Sequence, residues 1–299
     1  MAELRLKYRD IDRAPYLWTL AHMAEKNYGL KLLIDKAEQG GPFPEYLKEG
    51  STDVLCENYW QLQNQRARGE RWVSVATAVC TLNEKLFVQP SVKSIEDLRG
   101  KKLAIRKTGP SQLIPQLWAQ DHNLNLEPVI YDEKETGRWG SWKKVLDGTC
   151  AGSFITNFYQ DDPRSAGLKE LDIEPYAFIG NVTLTTSQDI VAKRRDDIQK
   201  LVDAAFDASK LFRNDPNAAL DIFKKSGLKL RDYEGDAQLK KIFAILAGEL
   251  SEYPLPTADA ISNTRRMTLF NSPELADFNT LLMWDFSFAR EAMRRRGIK

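Results

Sequence analysis

A polar turn ahead of a predicted helix offers the clearest place in this sequence for holding a charged ligand. The turn contains Thr108, Gly109 and Ser111, and it follows a strand predicted over residues 101–105. A helix N-terminus presents backbone N–H groups without partners and the positive end of the helix dipole, so it can bind an anionic group. Thr108 could instead serve only as the N-cap, which stabilises a helix by about 1 kcal/mol. Both roles stay open on the sequence alone.

Two arginines in the loop after the first predicted strand could bind the same kind of group. Arg9 and Arg13 carry guanidinium groups whose paired N–H donors match a carboxylate or a sulfonate. Asp10 and Asp12 lie in the same loop. Local ion pairing with these two acids is therefore the alternative role of the arginines.

Further candidates follow other predicted strands, at the ends where ligands bind in open α/β sheets. They are polar or aromatic residues, namely Asn58, Tyr59, Thr81, Arg138, Thr156 and Asn157. Aromatic rings that could stack on a ligand occur in the same loops, although aromatics more often belong to a core. These rings belong to Tyr59, Trp60, Trp139 and Phe158.

Histidine is scarce, and this argues against several chemistries. His22 and His122 are the only two histidines, and both fall in or at the end of predicted helices. The sequence therefore predicts no histidine-based metal site and no histidine base. No other metal site and no cofactor is expected. It also lacks the H-E-x-x-H, G-x-S-x-G, Walker A and G-x-G-x-x-G motifs, which disfavours hydrolase, NTPase and dinucleotide functions.

Length and charge set further bounds. A chain of 299 residues should form about two domains. Its 43 basic and 42 acidic residues give a net charge of +1, which argues against nucleic-acid binding. The sequence contains no run of about 18 apolar residues, so it predicts no membrane insertion. The N-terminus shows no signal-peptide pattern, and three scattered cysteines suit a reducing compartment. The chain as written is expected in the cytoplasm, and in the periplasm if a leader has been removed.

Strands and helices alternate along the chain, which predicts βαβ units and mostly parallel sheets with right-handed crossovers. No internal repeat is visible. The predicted strands cover residues 4–8, 30–37, 53–57, 72–79, 101–105, 128–131 and 150–156, with one or two more within 176–191. The predicted helices cover residues 16–28, 44–50, 59–69, 111–122, 141–147, 195–213, 217–225 and 280–296.

Several phrases carry a family resemblance. The phrase S-I-E-D-L-R-G-K-K-L-A-I, which begins at Ser94, resembles the start of the second lobe in type II periplasmic-binding-protein folds. The resemblance is to their sulfonate/nitrate/taurine-binding and thiamine-precursor-synthase-like branch. Residues 46–54, 145–151 and 198–205 are similar to further phrases of that family.

The resemblance covers roughly residues 1–225. It implies an α/β, two-lobed fold in which each lobe is a mostly parallel sheet flanked by helices, with a ligand cleft between the lobes. Residues 1–82 and 190–299, including the C-terminal helices, would form lobe one, and residues 83–189 would form lobe two.

The resemblance also implies a function. A solute-binding protein of this type would close on a small organic anion, a carboxylate or a sulfonate, with Thr108, Ser111 and an arginine holding the charge. Whether the anion is aromatic stays open. An ABC permease would be the partner if the protein is exported, and homodimer formation stays open.

The alternative function is a cytoplasmic lyase on the same fold. The loop from Asp10 to Ala14 resembles a phrase of dihydroxyphthalate-decarboxylase-like enzymes, and the segment from Glu57 to Tyr59 is similar to another. Such a cofactor-independent decarboxylase would use Asp10, Asp12 or Glu57 to deliver a proton to carbon as CO2 leaves an aromatic acid. Solute binding is favoured, because the resemblance in fold exceeds the resemblance in site.

Overall fold

The structure is a computed structural model, and it describes residues 2–9, 11–37, 43–57, 59–82, 84–107, 109–137, 139–180, 182–230, 233 and 235–298. The chain divides into two compact units. Unit 1 combines Met1–Thr81 with Ala177–Lys299, and unit 2 is Leu82–Tyr176.

The described elements alternate between strands and helices, as the sequence predicts. The strands are β1 (Ala2–Tyr8), β2 (Leu30–Lys36), β3 (Val54–Glu57), β4 (Trp72–Thr77), β5 (Thr81–Leu82), β6 (Glu84–Val88), β7 (Lys102–Arg106), β8 (Glu127–Tyr131), β9 (Gly152–Thr156), β10 (Lys169–Leu171), β11 (Tyr176–Ala177) and β12 (Thr183–Ser187). The α-helices are α1 (Ala14–Tyr28), α2 (Glu45–Lys48), α3 (Tyr59–Ala67), α4 (Pro110–Asp121), α5 (Glu133–Thr136), α6 (Trp142–Leu146), α7 (Asp161–Ser165), α8 (Gln188–Lys193), α9 (Arg195–Asn214), α10 (Pro216–Lys224), α11 (Asp236–Glu249), α12 (Ala258–Asn271) and α13 (Ser287–Arg295). Short 3₁₀ turns lie at Ile11–Arg13, Glu96–Leu98, Asn157–Tyr159, Pro273–Leu275 and Thr280–Met283.

Unit 1 is built on a five-stranded sheet in the order β2-β1-β3-β12-β4. β1 pairs in parallel with β2 and β3, whereas β12 runs antiparallel to β3 and β4. In β1, Leu4 and Leu6 are buried while Glu3 and Arg5 are exposed, so the strand has one core face and one solvent face. α9 packs against α1, and its buried face includes Leu201.

Unit 2 is built on a second five-stranded sheet in the order β10-β6-β9-β7-β8. β7 is parallel to β8 and β9, whereas β6 is antiparallel to β9 and to β10. Two apolar clusters cover the sheet, one containing Trp118 of α4 and the other containing Val145 of α6. α4 follows β7 along the chain and α6 precedes β9, so each helix has one terminus close to the end of a strand.

Three sequence-based predictions differ from the structure. The chain returns to unit 1 near residue 177 rather than residue 190, because β12 completes the sheet of unit 1. The sequence predicts no strand at the position of β6, because this segment begins with Glu84 and Lys85 and shows no alternation of apolar and polar residues. The helix predicted over residues 280–296 is broken, because the chain at Trp284 makes a strand-like bridge to β4 before α13 begins.

None of the helices described is long and apolar enough to cross a membrane.

Candidate functional site

Four strands of unit 2 place polar residues at one edge of the sheet, namely the edge where the parallel strands have their carboxyl ends. β7, β8 and β9 run in parallel and end at Arg106, Tyr131 and Thr156, and the antiparallel strand β6 begins at the same edge with Glu84. The register aligns Arg106 with Tyr131 and Glu84 with Thr156. This edge therefore combines a cation, a carboxylate and two hydroxyl groups.

Arg106 is the cation at this edge. Its Nη2 lies 2.9 Å from Oε1 of Glu133, and 28% of the Arg106 side chain is exposed. The guanidinium carbon lies 4.2 Å from the ring centroid of Trp139, and the Trp139 ring stacks on Tyr159 at a centroid distance of 6.3 Å. A guanidinium has five N–H donors. Within the described residues Glu133 is its one ionic partner, so donors remain for an incoming anion.

A tight turn fixes the position of the Trp139 ring. Trp139 has a φ of 59°, a left-handed conformation that costs a bulky residue roughly 1–3 kcal/mol. A Cβ on Gly140 would lie 2.1 Å from the carbonyl oxygen of Thr136, so only glycine fits there. Directly after the turn, buried Ser141 accepts a hydrogen bond of 2.6 Å from Ser153 of β9. The rest of the unit thus holds the indole beside Arg106.

The start of α4 is occupied by a carboxylate of the protein itself. Ser111 Oγ donates a hydrogen bond of 2.6 Å to Oε1 of Glu84, and both residues are buried. Gly109 precedes the helix with a φ of 79°. A carboxylate is the kind of group that a helix N-terminus favours. The Ser111 hydroxyl is therefore engaged within unit 2, and its contact with a ligand stays a prediction, as does that of Gly109.

Tyr131 supplies a neutral hydroxyl at this edge. Burial raises the pKa of Tyr131 to about 12, although the positive charge of Arg106 acts in the opposite direction. The phenol therefore stays protonated at neutral pH, and it contributes a polar group without a charge.

Unit 1 carries a related group of residues at the corresponding edge of its own sheet. Arg9 Nε lies 3.4 Å from Oε2 of Glu57, and the guanidinium lies 4.9 Å from the ring centroid of Phe43. Glu57 is buried, and the register aligns it with Thr183, whose hydroxyl donates 3.0 Å to that of Thr77.

The two arginines of the first loop find acids from distant segments. Arg9 faces Glu57, and Arg13 Nη1 lies 2.8 Å from Oε2 of Glu249 in α11. The side chains of Arg13 and Glu249 are only 17% and 8% exposed, so this ion pair is largely buried. Arg13 thus ties the first loop to α11, which is a structural role that local sequence did not indicate.

The remaining candidates fall at several places. Thr156 ends β9, Asn157 opens the 3₁₀ turn after it, Thr81 begins β5, Tyr59 begins α3 and Asp12 lies in the first 3₁₀ turn. Asn157 Oδ1 accepts a hydrogen bond from Gln160. Their roles stay predictions. Four candidates lie outside the described residues, namely Asp10, Asn58, Thr108 and Arg138.

Sequence reasoning missed Arg106 and Glu84. Arg106 is the last residue of a strand that was predicted to end at residue 105, and an arginine at that point was a usable signal. Glu84 gave no signal, because its strand was not predicted. Across the described parts of the chain, no group of three or more His, Cys, Asp or Glu residues is arranged to hold a metal ion.

Comparisons with known proteins identify the fold. A family model described as NMT1/THI5 like matches residues 26–219. No curated protein sequence matches the chain.

Solved structures match over nearly the whole chain. The periplasmic sulfonate-binding protein SsuA of Methylobacillus flagellatus is 17% identical with a TM-score of 0.72, covering 100% of this chain and 96% of that one. The periplasmic aliphatic sulphonate binding protein SsuA of Escherichia coli is 16% identical with a TM-score of 0.64, covering 95% and 91%. The alkanesulfonate-binding protein of Xanthomonas axonopodis pv. citri, bound to MOPS, is 14% identical with a TM-score of 0.53, covering 98% of each. At such identities the likeness shows the fold, and the predicted periplasmic-binding-protein-like α/β fold is confirmed.

Proposed function

Since this chain belongs to the NMT1/THI5-like family, we propose that it is a solute-binding protein for a small organic anion, a carboxylate or a sulfonate. The observation that carries the proposal is Arg106. A partly exposed guanidinium stands at the carboxyl end of β7, braced by Trp139 and paired with one carboxylate. Arginine is the side chain best suited to bind a carboxylate or a sulfonate through two parallel hydrogen bonds.

The comparisons support solute binding over the alternative decarboxylase. The three structural neighbours are described as sulfonate-binding proteins, and one of them holds MOPS, which is itself a sulfonate. The family match adds no support for a lyase. Of the acids considered for proton transfer, Glu57 is buried and ion-paired with Arg9.

An ABC permease is the partner that we propose by analogy, because the Methylobacillus neighbour is described as part of a sulfonate ABC transporter. That partner would require export of the protein. The cytoplasmic location and the homodimer stay predictions, and the two locations can be separated by fractionating cells that express the native gene.

Calorimetric titration tests the proposal. The full-length protein is titrated with alkanesulfonates, arylsulfonates and carboxylates, and with uncharged amides of the same size. We expect one anionic series to bind and the amides to fail. Arg106→Gln should lower the affinity for that anion by about 10- to 100-fold, since hydrogen bonds to charged groups are worth roughly 1.5–3 kcal/mol.

Arg164→Gln is the matched control. Arg164 also lies in unit 2, pairs with Glu170 at 2.6 Å and sits 5.6 Å from the ring of Phe87, in the middle of β6. Its loss should leave the affinity unchanged. If Arg106→Gln and Arg164→Gln bind every anion as the wild type does, Arg106 is not the anchor. If mass spectrometry finds a decarboxylated product over many turnovers, solute binding is the wrong function.

A further inference from the structure

Unit 1 contains a cavity of about 670 Å³ beside the C-terminal half of α9. Small-molecule sites usually occupy roughly 300–1,000 Å³. Lys210 and Arg213 of α9 line one side, and Phe206, Tyr253 and Ile298 provide apolar surface. Every lining residue belongs to unit 1, so the cavity is separate from the edge of unit 2 that carries Arg106.

Two cations in this cavity have no partner among the residues that the structure describes. Lys210 and Arg213 are exposed, and neither forms a hydrogen bond or an ion pair there. They are three residues apart on one helix, so they lie on the same face with their Cβ atoms about 5–6 Å apart. The pair can therefore contact one doubly charged group.

The acids that line the cavity are already engaged. Asp207 accepts hydrogen bonds of 2.6 Å from Tyr28 and 2.7 Å from Arg296. Glu252 forms a hydrogen bond with the hydroxyl of Tyr253 and raises the pKa of that phenol. Arg296 thus balances the charge of Asp207, and Glu252 keeps its negative charge. With Lys210 and Arg213 the charged lining residues carry a net charge of +1.

Aromatic surface lies next to the two cations. The rings of Phe206 and Tyr253 are 6.1 Å apart with an interplanar angle of 36°, and Arg296 lies 5.1 Å from the Phe206 ring centroid. Phe206 itself is almost fully buried, whereas Tyr253 is partly exposed. A planar ring entering the cavity would pack against Tyr253 while a charged group reached α9.

We propose that this cavity binds a phosphate monoester that carries a planar ring. A phosphate monoester has between one and a half and two negative charges near pH 7 and three acceptor oxygens, which fits the two free cations. The ring fits the surface formed by Tyr253 and Ile298. This second site is independent of the anion site proposed at Arg106.

Phenyl phosphate is a suitable probe, titrated into the full-length protein by calorimetry and by ligand-observed NMR. We expect it to bind about tenfold or more tightly than inorganic phosphate, because only the ester has a ring to bury. The double variant Lys210→Gln/Arg213→Gln should lose affinity by at least tenfold. Lys193→Gln/Lys200→Gln removes the same charge from α8 and the start of α9, and it should bind as the wild type does.

The remaining measurements distinguish this cavity from the site at Arg106, and binding of the ring-bearing ester from binding of inorganic phosphate. Arg106→Gln should bind phenyl phosphate with unchanged affinity, even if it loses the organic anion. Equal binding of phenyl phosphate and inorganic phosphate would overturn the role of the ring. Equal binding by wild type and Lys210→Gln/Arg213→Gln, or no binding by the wild type, would overturn the site. The two cations would then serve only to complement the C-terminal dipole of α9.

Discussion

Replacing Asp203 with asparagine should destabilise unit 1 more than any loss of a surface ion pair. The Asp203 side chain, on α9, is 1% exposed. Its two oxygens accept hydrogen bonds of 2.8 Å from Arg295 and Arg296, at the end of α13. Removing one member of a buried charge pair typically costs about 3–5 kcal/mol, because the other charge stays buried without its partner.

The structure selects the lower end of that range. The Arg295 side chain is 48% exposed and also pairs with Glu291, so it keeps a partner and water. Arg296 is 22% exposed and keeps Asp207. We therefore expect Asp203→Asn to cost about 3 kcal/mol. At about 2–4 °C per kcal/mol for a unit of this size, Tm should fall by about 6–12 °C.

Thermal and urea unfolding, followed by circular dichroism, measure this loss. Asp221→Asn is the control, because Asp221 is an exposed aspartate of α10 in the same unit and should change stability by less than about 0.5 kcal/mol. Arg295→Gln should cost under about 1 kcal/mol, as expected for a half-exposed pair. If Asp203→Asn lies within about 1 kcal/mol of the wild type, the buried carboxylate does not hold α13 against α9.

Two further predictions concern packing and acid stability. Gly180→Ala should cost about 1–3 kcal/mol in urea unfolding, because the new Cβ would lie 2.8 Å from Cγ1 of Val79; an unchanged midpoint would mean that the backbone shifts freely. Burial raises the pKa of Asp207, but hydrogen bonds from Tyr28 and Arg296 outweigh it, and the net pKa lies below its usual value near 3.9. The stability from ionised Asp207 is therefore present above about pH 4 and is lost as the pH falls through the lower folded pKa. The Tm difference between wild type and Asp207→Asn should shrink below pH 4, and a constant difference from pH 7 to pH 2 would contradict this.

Local pattern was sufficient for the parallel strands and for the long helices. The helix predicted over residues 195–213 forms at Arg195–Asn214, because a wide apolar stripe decides its face without help from distant residues. The helix predicted over residues 280–296 fails for the opposite reason. Trp284 and Asp285 pair with Ser74 of β4, and that long-range contact outweighs local helix propensity.

The site was less predictable than the fold, because its contacts join residues far apart in sequence. Ser111 meets Glu84 across 27 residues, and Arg13 meets Glu249 across 236. A single sequence shows which side chains end a strand, but it does not show which acid an arginine will face. The local pairing of Arg9 and Arg13 with Asp10 and Asp12 was the natural alternative for this reason.

The two sheets share an arrangement that the sequence does not display. Read from β2 and from β8, both have four strands in one direction with an antiparallel strand in the fourth position, β12 in unit 1 and β6 in unit 2. β12 begins with Thr183 aligned with Glu57, and β6 begins with Glu84 aligned with Thr156. Each edge therefore pairs one buried glutamate with one threonine, but the two residue types have exchanged strands.

Along the chain, the two sheets differ in the place of the antiparallel strand. The antiparallel strand comes first in unit 2 and after the return of the chain in unit 1. Arg106 ends β7, and Arg9 follows β1, the strand at the corresponding place. An arginine paired with a carboxylate thus recurs at both edges, Arg9 with buried Glu57 and Arg106 with partly exposed Glu133.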